Sequence, residues 1–278
     1  MVENHLPQNE PHRPSFCSWF TDKTVLVTGA TSGIGEEIVK QLSFCRTKLL
    51  LCGRNKEAMD LLEVEIKGST CQVAESFLLN FSSNESLKEL IAQIQKTYEI
   101  DILVNNAGIG HLSDFSVMSE DQIHTMVNLN IVAIMQLCRA FIPQLQKGNG
   151  ILNVGSVASF FPTPGSALYG ATKRFLLSFT DALHWEMLSS GVHVTGVYPG
   201  NTHSRFLERS TGGKVKKWQK AMSPVVVAEK ALAGLSKNKM RVIPGYMNKL
   251  KTLAPVILPN TILLNKLYKN AHNHSKEH

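Results

Sequence analysis

Hydrophobic residues fall along this chain in short dense runs, each followed by a stretch where they recur every three or four positions. TVLVTGA, from Thr24, reads as a buried strand whose β-branched and leucine side chains end on a glycine. SGIGEEIVKQL then opens a helix, with Ile34, Ile38, Val39 and Leu42 at helical spacing. The alternation continues through strand TKLLLCG, helix EAMDLLEVEI, strand QVAESFLL, helix NESLKELIAQIQKTY and strand DILVNNAG. A long helical stretch over 120–146 precedes strand GILNVGS, and a second over 166–188 precedes strand VHVTGVYPG. An irregular segment over 201–223, helix PVVVAEKALAGL and a short strand RVIPG follow.

Strands this continuously apolar are buried on both faces, which predicts an α/β, doubly wound fold with a parallel sheet covered by helices. Its crossovers should be right-handed. No linker interrupts the alternation, so one Rossmann-like domain is expected over 21–245. A flexible polar tail rich in Pro, His and Asn is expected over 1–20, and a C-terminal tail over 246–278.

Composition narrows the class. The chain has 278 residues, 43% hydrophobic and 18% charged, enough for a sizeable core. Mean hydropathy is near zero, and no stretch approaches the roughly 18 apolar residues of a spanning helix. The net charge of +7 is scattered apart from Lys214, Lys216, Lys217, Lys220 and a C-terminal set. Without zinc-finger spacing or interleaved aromatics, it reads as a solvated basic surface and not a nucleic-acid site. The five cysteines, odd in number and without CxxC, read as unpaired thiols in a reducing compartment, the cytoplasm. The histidines lack metal-ligand spacing, so no metal is expected.

Chemistry concentrates at strand ends. TGATSGIG sets Gly29, Gly33 and Gly35 between a strand and a helix. Gly29 permits the sharp turn, while Gly33 and Gly35 let the backbone approach a pyrophosphate and the helix pack closely on the sheet. The helix N-terminus offers free N–H groups to the phosphates. At the tip of the second strand, an NAD site would place a carboxylate for the ribose 2′-hydroxyl. Here the residues are Cys52, Gly53, Arg54 and Asn55, and the planar Arg54 guanidinium suits a 2′-phosphate, which favours NADP. In YGATK, Tyr169 and Lys173 stand four apart on one helical face. A nearby ammonium favours the phenolate, which would tune Tyr169 as a proton donor. Ser156, at the end of the fifth strand, lies where open α/β sheets place ligands, and its hydroxyl would hold a substrate oxygen. Asn130 would position a water or side chain for proton supply.

The set resembles the short-chain dehydrogenase/reductase family in its single-domain branch. The matching pieces are Thr28-Gly29-x-x-x-Gly33-x-Gly35, Asn105-Asn106-Ala107-Gly108, Asn130, Ser156, Tyr169-x-x-x-Lys173 and Pro199-Gly200, in the family's order and covering about residues 22–245. The resemblance implies a seven-stranded, mostly parallel sheet and the catalytic tetrad Asn130, Ser156, Tyr169 and Lys173, with Lys173 and Tyr169 also at the nicotinamide ribose. It implies that Thr31, Ser32 and Ile34 join the glycines at the pyrophosphate, and that Asn106, Ala107 and Gly108 line the adenosine side. Val197–Gly200, including Pro199 and Gly200, would flank the nicotinamide ring, and Thr202 would approach either the nicotinamide amide or the phosphates. It also implies homodimers or homotetramers built on the two long helices. Three positions depart from the pattern: Asn80 stands where an adenine-binding Asp is frequent, Ser32 where NADP forms are often basic, and Val154-Gly155-Ser156 replaces Ile-Ser-Ser.

The expected activity is hydride transfer between NADP(H) and a small carbonyl or secondary alcohol, with Tyr169 as general acid/base. Two alternatives stand beside it: a non-catalytic NADP(H)-sensing regulator, and a membrane-peripheral reductase of a lipid substrate. The second rests on the C-terminal tail, where apolar residues mix with Lys249, Lys251, Lys266 and Lys269. Docking of that tail on the domain or on a second copy is the favoured reading. Residues 203–222 are expected to form a mobile substrate lid, with Phe206 and Trp218 as candidate pocket residues, and His111 and Phe115 as weaker ones.

Overall fold

Strand β1 (Thr24–Thr28) carries Val25, Leu26 and Val27 with no solvent exposure at all, which only a sheet covered on both faces allows. The computed structural model describes residues 14–81, 83–213 and 221–257, together with 261, 264, 265 and 267–269. Around β1 stand β2 (Lys48–Gly53), β3 (Gln72–Leu78), β4 (Ile102–Asn105), β5 (Gly150–Val154), β6 (His193–Val197) and β7 (Arg241–Val242). They form one parallel sheet in the order β3-β2-β1-β4-β5-β6-β7. The order reverses between β1 and β4, so their carboxyl ends open a crevice, the place where such sheets take ligands.

Alternation within the strands divides the core. Val25, Val27, Leu49 and Leu51 face one cluster, closed by α2 (Gly33–Leu42), α3 (Lys56–Ile66) and α9 (Pro224–Ser236). Leu26, Leu50, Leu103 and Ile151 face the other, closed by α4 (Asn84–Thr97), α6 (Ala133–Phe141) and α7 (Ala167–Glu186), with α5 (Glu120–Val127) preceding α6 in the chain. The short α8 (Phe206–Ser210) lies inside the segment expected to be irregular. The seven expected strands are all present.

Three expectations need correction. The N-terminal tail is structured from residue 14. Its short helix α1 (Cys17–Phe20) buries Phe16, Cys17 and Phe20 in the first core cluster, and Trp19 stacks on His193 with ring centres 5.0 Å apart. The cysteines are not all unpaired: Cys17 and Cys45 form a disulfide, because both pack in that same cluster, while Cys52, Cys71 and Cys138 are free thiols. The run Glu120–Gln144 is one continuous helical stretch long and apolar enough to cross a membrane, which reading residue by residue did not find. Leu129, Ala133, Ile134, Leu137 and Phe141 are nevertheless buried in the second cluster, and Met126 is buried as well. The C-terminal tail, for which docking on the domain was one expectation, begins as helix α10 (Tyr246–Ile257). It docks at the site: an added Cβ on Gly200 would collide with the Asn248 carboxamide, and Lys251 and Ala254 reach the cavity described below.

Candidate active site

Residues at the carboxyl ends of β1, β2, β4, β5 and β6 surround a cavity of about 1190 Å³. It runs from Arg54 and Asn80 at one end, past Gly29, Gly33 and Gly108, to Ser156, Tyr169 and Lys173 at the other. That exceeds the range of about 300–1,000 Å³ usual for one small ligand, so it accommodates a dinucleotide with a substrate beside it.

The glycine turn is built for close approach. Gly29 (φ +67°) and Gly33 (φ +60°) take left-handed backbone that L side chains rarely adopt. Helices α3, α4 and α5 are capped by the side chains of Asn55, Ser83 and Ser119, but Ser32 makes no side-chain cap on α2. The first N–H groups of α2 therefore stay available to an anion, which the helix dipole also favours. The turn is held from behind: Asn106 Nδ2 donates to the carbonyls of Thr28 and Gly29, at 3.0 Å each. Thr28 Oγ1 donates to Val104 O and accepts from the N–H groups of Asn106 and Ala107. These residues fit a dinucleotide's pyrophosphate.

At the far end, β5 delivers Ser156 and α7 delivers Tyr169 and Lys173, one helical turn apart. The Ser156 hydroxyl faces the Tyr169 hydroxyl and accepts from Ala158 N–H at 3.2 Å. Lys173 is 5% exposed, its ammonium donating to Val154 O at 3.1 Å and lying 5.9 Å from the Tyr169 ring centre. Burial pulls Lys173 down to about 8. Tyr169 is partly covered and opens on the cavity, yet loss of solvent pushes its hydroxyl up to about 12, only partly countered by Ser156. Desolvation of the phenol therefore sets the direction of its shift, and Ser156, not the Lys173 expected from the sequence, is what opposes it.

Asn130 is fully buried in a π-helical turn, Asn128–Val132, that joins α5 to α6. Its carboxamide accepts from Ile109 N–H at 3.0 Å and donates to Ile109 O at 2.8 Å and Thr172 Oγ1 at 3.1 Å. It fixes the loop after β4 against the start of α7. An added Cβ on Gly108 would come within 3.4 Å of both Asn130 Oδ1 and Lys173 Nζ, so this loop must stay slim to pass the two.

A model of the short chain dehydrogenase family matches residues 23–214. The chain belongs to that family. Among its relatives, a sulfoacetaldehyde reductase of Chromohalobacter salexigens is 32% identical over 195 residues, 68% of this chain and 76% of the relative. Among solved structures, a short-chain dehydrogenase from Sphingobium yanoikuyae in complex with NADPH has TM-score 0.75 and 28% identity over 84% of this chain and 93% of that one. A 3-ketoacyl-(acyl-carrier-protein) reductase from Brucella melitensis complexed with NADH has TM-score 0.69 and 26% identity over 81% and 98%. This short-chain dehydrogenase is accordingly an oxidoreductase with the seven-stranded Rossmann-like fold of its relatives.

Most candidates named from the sequence converge on the one cavity. Thr31, Ser32, Ile34, Ala107, Pro199, Gly200 and Thr202 line it with those above. Gly35 is buried beneath the turn, and Asn130 sits just behind the loop after β4. Thr202 Oγ1 is engaged with Gly200 O. Phe206 reaches the site, its ring 5.6 Å from that of Tyr169, and Leu112 lines the cavity where His111 and Phe115 do not. Trp218 lies outside the described residues. Sequence reasoning missed Arg205 and Arg209 of the lid segment, which turn toward the glycine loop. It also missed a buried relay in which Asn105 Nδ2 donates to Asn153 Oδ1 at 2.8 Å and Asn153 Nδ2 to Thr180 Oγ1 at 2.9 Å.

Proposed function

We propose that this protein is an NADP(H)-dependent reductase or dehydrogenase that interconverts a carbonyl and a secondary alcohol, with Tyr169 as general acid/base. The observation that carries it is the shared cavity: a glycine turn suited to pyrophosphate opens at one end on the Tyr169, Lys173 and Ser156 side chains at the other. When bound, the nicotinamide supplies or takes up the hydride. Gly29, Thr31, Ser32, Gly33, Ile34, Gly108, Pro199 and Gly200 hold the dinucleotide, with Arg54 at the 2′-phosphate and Asn80 toward the adenine. Ser156 and Tyr169 hold the substrate oxygen, and Tyr169 passes its proton to that oxygen as reduction proceeds. Lys173, charged below about pH 8, stabilises the resulting phenolate. Asn130 positions the loop and the start of α7. Phe206, Leu112, Phe161 and Ala158 give the substrate end an apolar wall, which favours apolar or aromatic carbonyl compounds.

NADPH oxidation over a panel of aldehydes and ketones, with NADH in parallel, tests this. Turnover with NADPH that vanishes in Tyr169→Phe is expected. Equal turnover in that variant overturns the role of Tyr169.

A second reading attaches to α10. Tyr246, Met247, Leu250 and Leu253 are exposed at helical spacing, next to Lys249 and Lys251, a pattern suited to an anionic membrane surface. Co-sedimentation with phosphatidylserine vesicles, with and without residues 246–278, decides it. Self-association through the long helices draws on exposed Met135, Trp185 and Leu188, and light scattering reports it. The disulfide removes the support that cysteine usage gave to a reducing compartment.

A further inference from the structure

Among the described residues, three arginines without an ion-pair partner converge on the Arg54 end of the cavity. Arg54 follows β2, while Arg205 and Arg209 come from the start and last turn of α8, far away in sequence. Arg205 Nη2 donates to Thr31 O at 3.2 Å, and Arg209 Nη2 donates to Ser32 Oγ at 3.3 Å. Arg54 and Arg205 are close enough to lower the affinity of Arg209 for its proton, though desolvation contributes more. Among the described residues none of the ion pairs involves these three, and Glu208, which also lines the cavity, pairs with none of them. Like charges gathered this way repel unless an anion sits among them.

We propose that Arg205 and Arg209 form, with Arg54, a phosphate-binding clamp in which the lid helix supplies the positive charge that the glycine turn itself lacks at Ser32. The proposal rests on the NADP(H) reading above and goes beyond it, because it moves cofactor recognition onto the segment that also carries Phe206, which touches Tyr169. Phosphate bound at the glycine turn then draws α8 inward and sets Phe206 over the substrate end. Cofactor phosphate and substrate wall are thus coupled through a helix of only five residues. Guanidinium–phosphate pairs are charge-assisted and bidentate, so losing one should weaken binding about tenfold.

The test is equilibrium binding, followed by intrinsic fluorescence and calorimetry, of NADPH, NADH, 2′,5′-ADP and 5′-ADP to the full chain and to Arg54→Gln, Arg205→Gln and Arg209→Gln. All three side chains are exposed, so the variants should fold, and circular dichroism verifies it. We expect Arg209→Gln and Arg205→Gln to weaken NADPH about tenfold, and to flatten the salt dependence of binding. A matching loss for 2′,5′-ADP but not for NADH places the clamp on the 2′-phosphate. A matching loss for NADH and 5′-ADP places it on the pyrophosphate. Unchanged affinities for all four ligands in both lid variants overturn the clamp while leaving the cofactor reading intact. A wild-type chain that binds neither NADPH nor NADH overturns that reading as well.

Discussion

Asn130 and Ile109 exchange two hydrogen bonds, the carboxamide of one copying a strand partner for the backbone of the other. With its third bond to Thr172, the side chain is nearly saturated, and no water reaches it. Its contribution is therefore positional. Asn130→Ala would strip the half-buried Ile109 N–H and carbonyl of these partners and leave a cavity behind the loop, at roughly 1–3 kcal/mol in all. Urea denaturation should show a large loss of stability, and kcat should fall more than dinucleotide affinity. A variant of unchanged stability would contradict this placement.

Among the described residues, Tyr169 is the only phenol facing Ser156 and Lys173 in the cavity. Tyr169→Phe removes one oxygen and should lower turnover at least about 10²-fold, the scale of general acid–base catalysis. NADPH binding, followed by fluorescence, should hardly change.

Lys173 carries a pH signature. Its folded pKa of about 8 lies below the free value of 10.5, so between these the unfolded chain binds more protons. Stability should accordingly rise with pH through that window, by up to roughly 3 kcal/mol from this group alone. In Lys173→Met that component should disappear and Tm near pH 7 should increase, while turnover is lost. Parallel Tm–pH curves for the two proteins would show that Lys173 is not desolvated.

Gly35 packs under the glycine turn, where an added Cβ would run into Gly29 O and the Asn106 carboxamide. Gly35→Ala should cost about 1–3 kcal/mol of stability through overpacking, and weaken NADPH and NADH alike. Selective loss of one cofactor would point away from the turn.

The Cys17–Cys45 bond closes a loop with a sequence separation of 28. On chain-entropy grounds, its reduction should cost about 3–4 kcal/mol. Thiol titration of the denatured, unreduced chain should count three free cysteines, and Cys45→Ser should reproduce the loss of stability without dithiothreitol.

What the sequence made legible were features encoded within a few positions. The glycine turn lies between a strand and its helix, and Tyr169 and Lys173 share one helix, so spacing alone set their neighbours. Features joining distant segments were hidden. Nothing near Ser32 announces Arg209, and nothing in a polar leader shows that Phe16 and Phe20 reach a core shared with α9. The π-helical turn that inserts Asn130 escapes a search tuned to a 3.6-residue repeat. Nor does the position of Lys173 beside Tyr169 in sequence disclose how strongly burial acts on each.

The Asn105–Asn153–Thr180 relay bolts β4, β5 and α7 together beneath the reacting groups, with every member hidden from solvent. The roof is another matter: α8 and α10 offer exposed side chains, and α8 is tied to the glycine turn through the exposed Arg205 and Arg209. A rigid floor under an alterable roof lets substitutions above retune which molecules are admitted while the apparatus below keeps its alignment, so new substrate preferences are most accessible to mutation there.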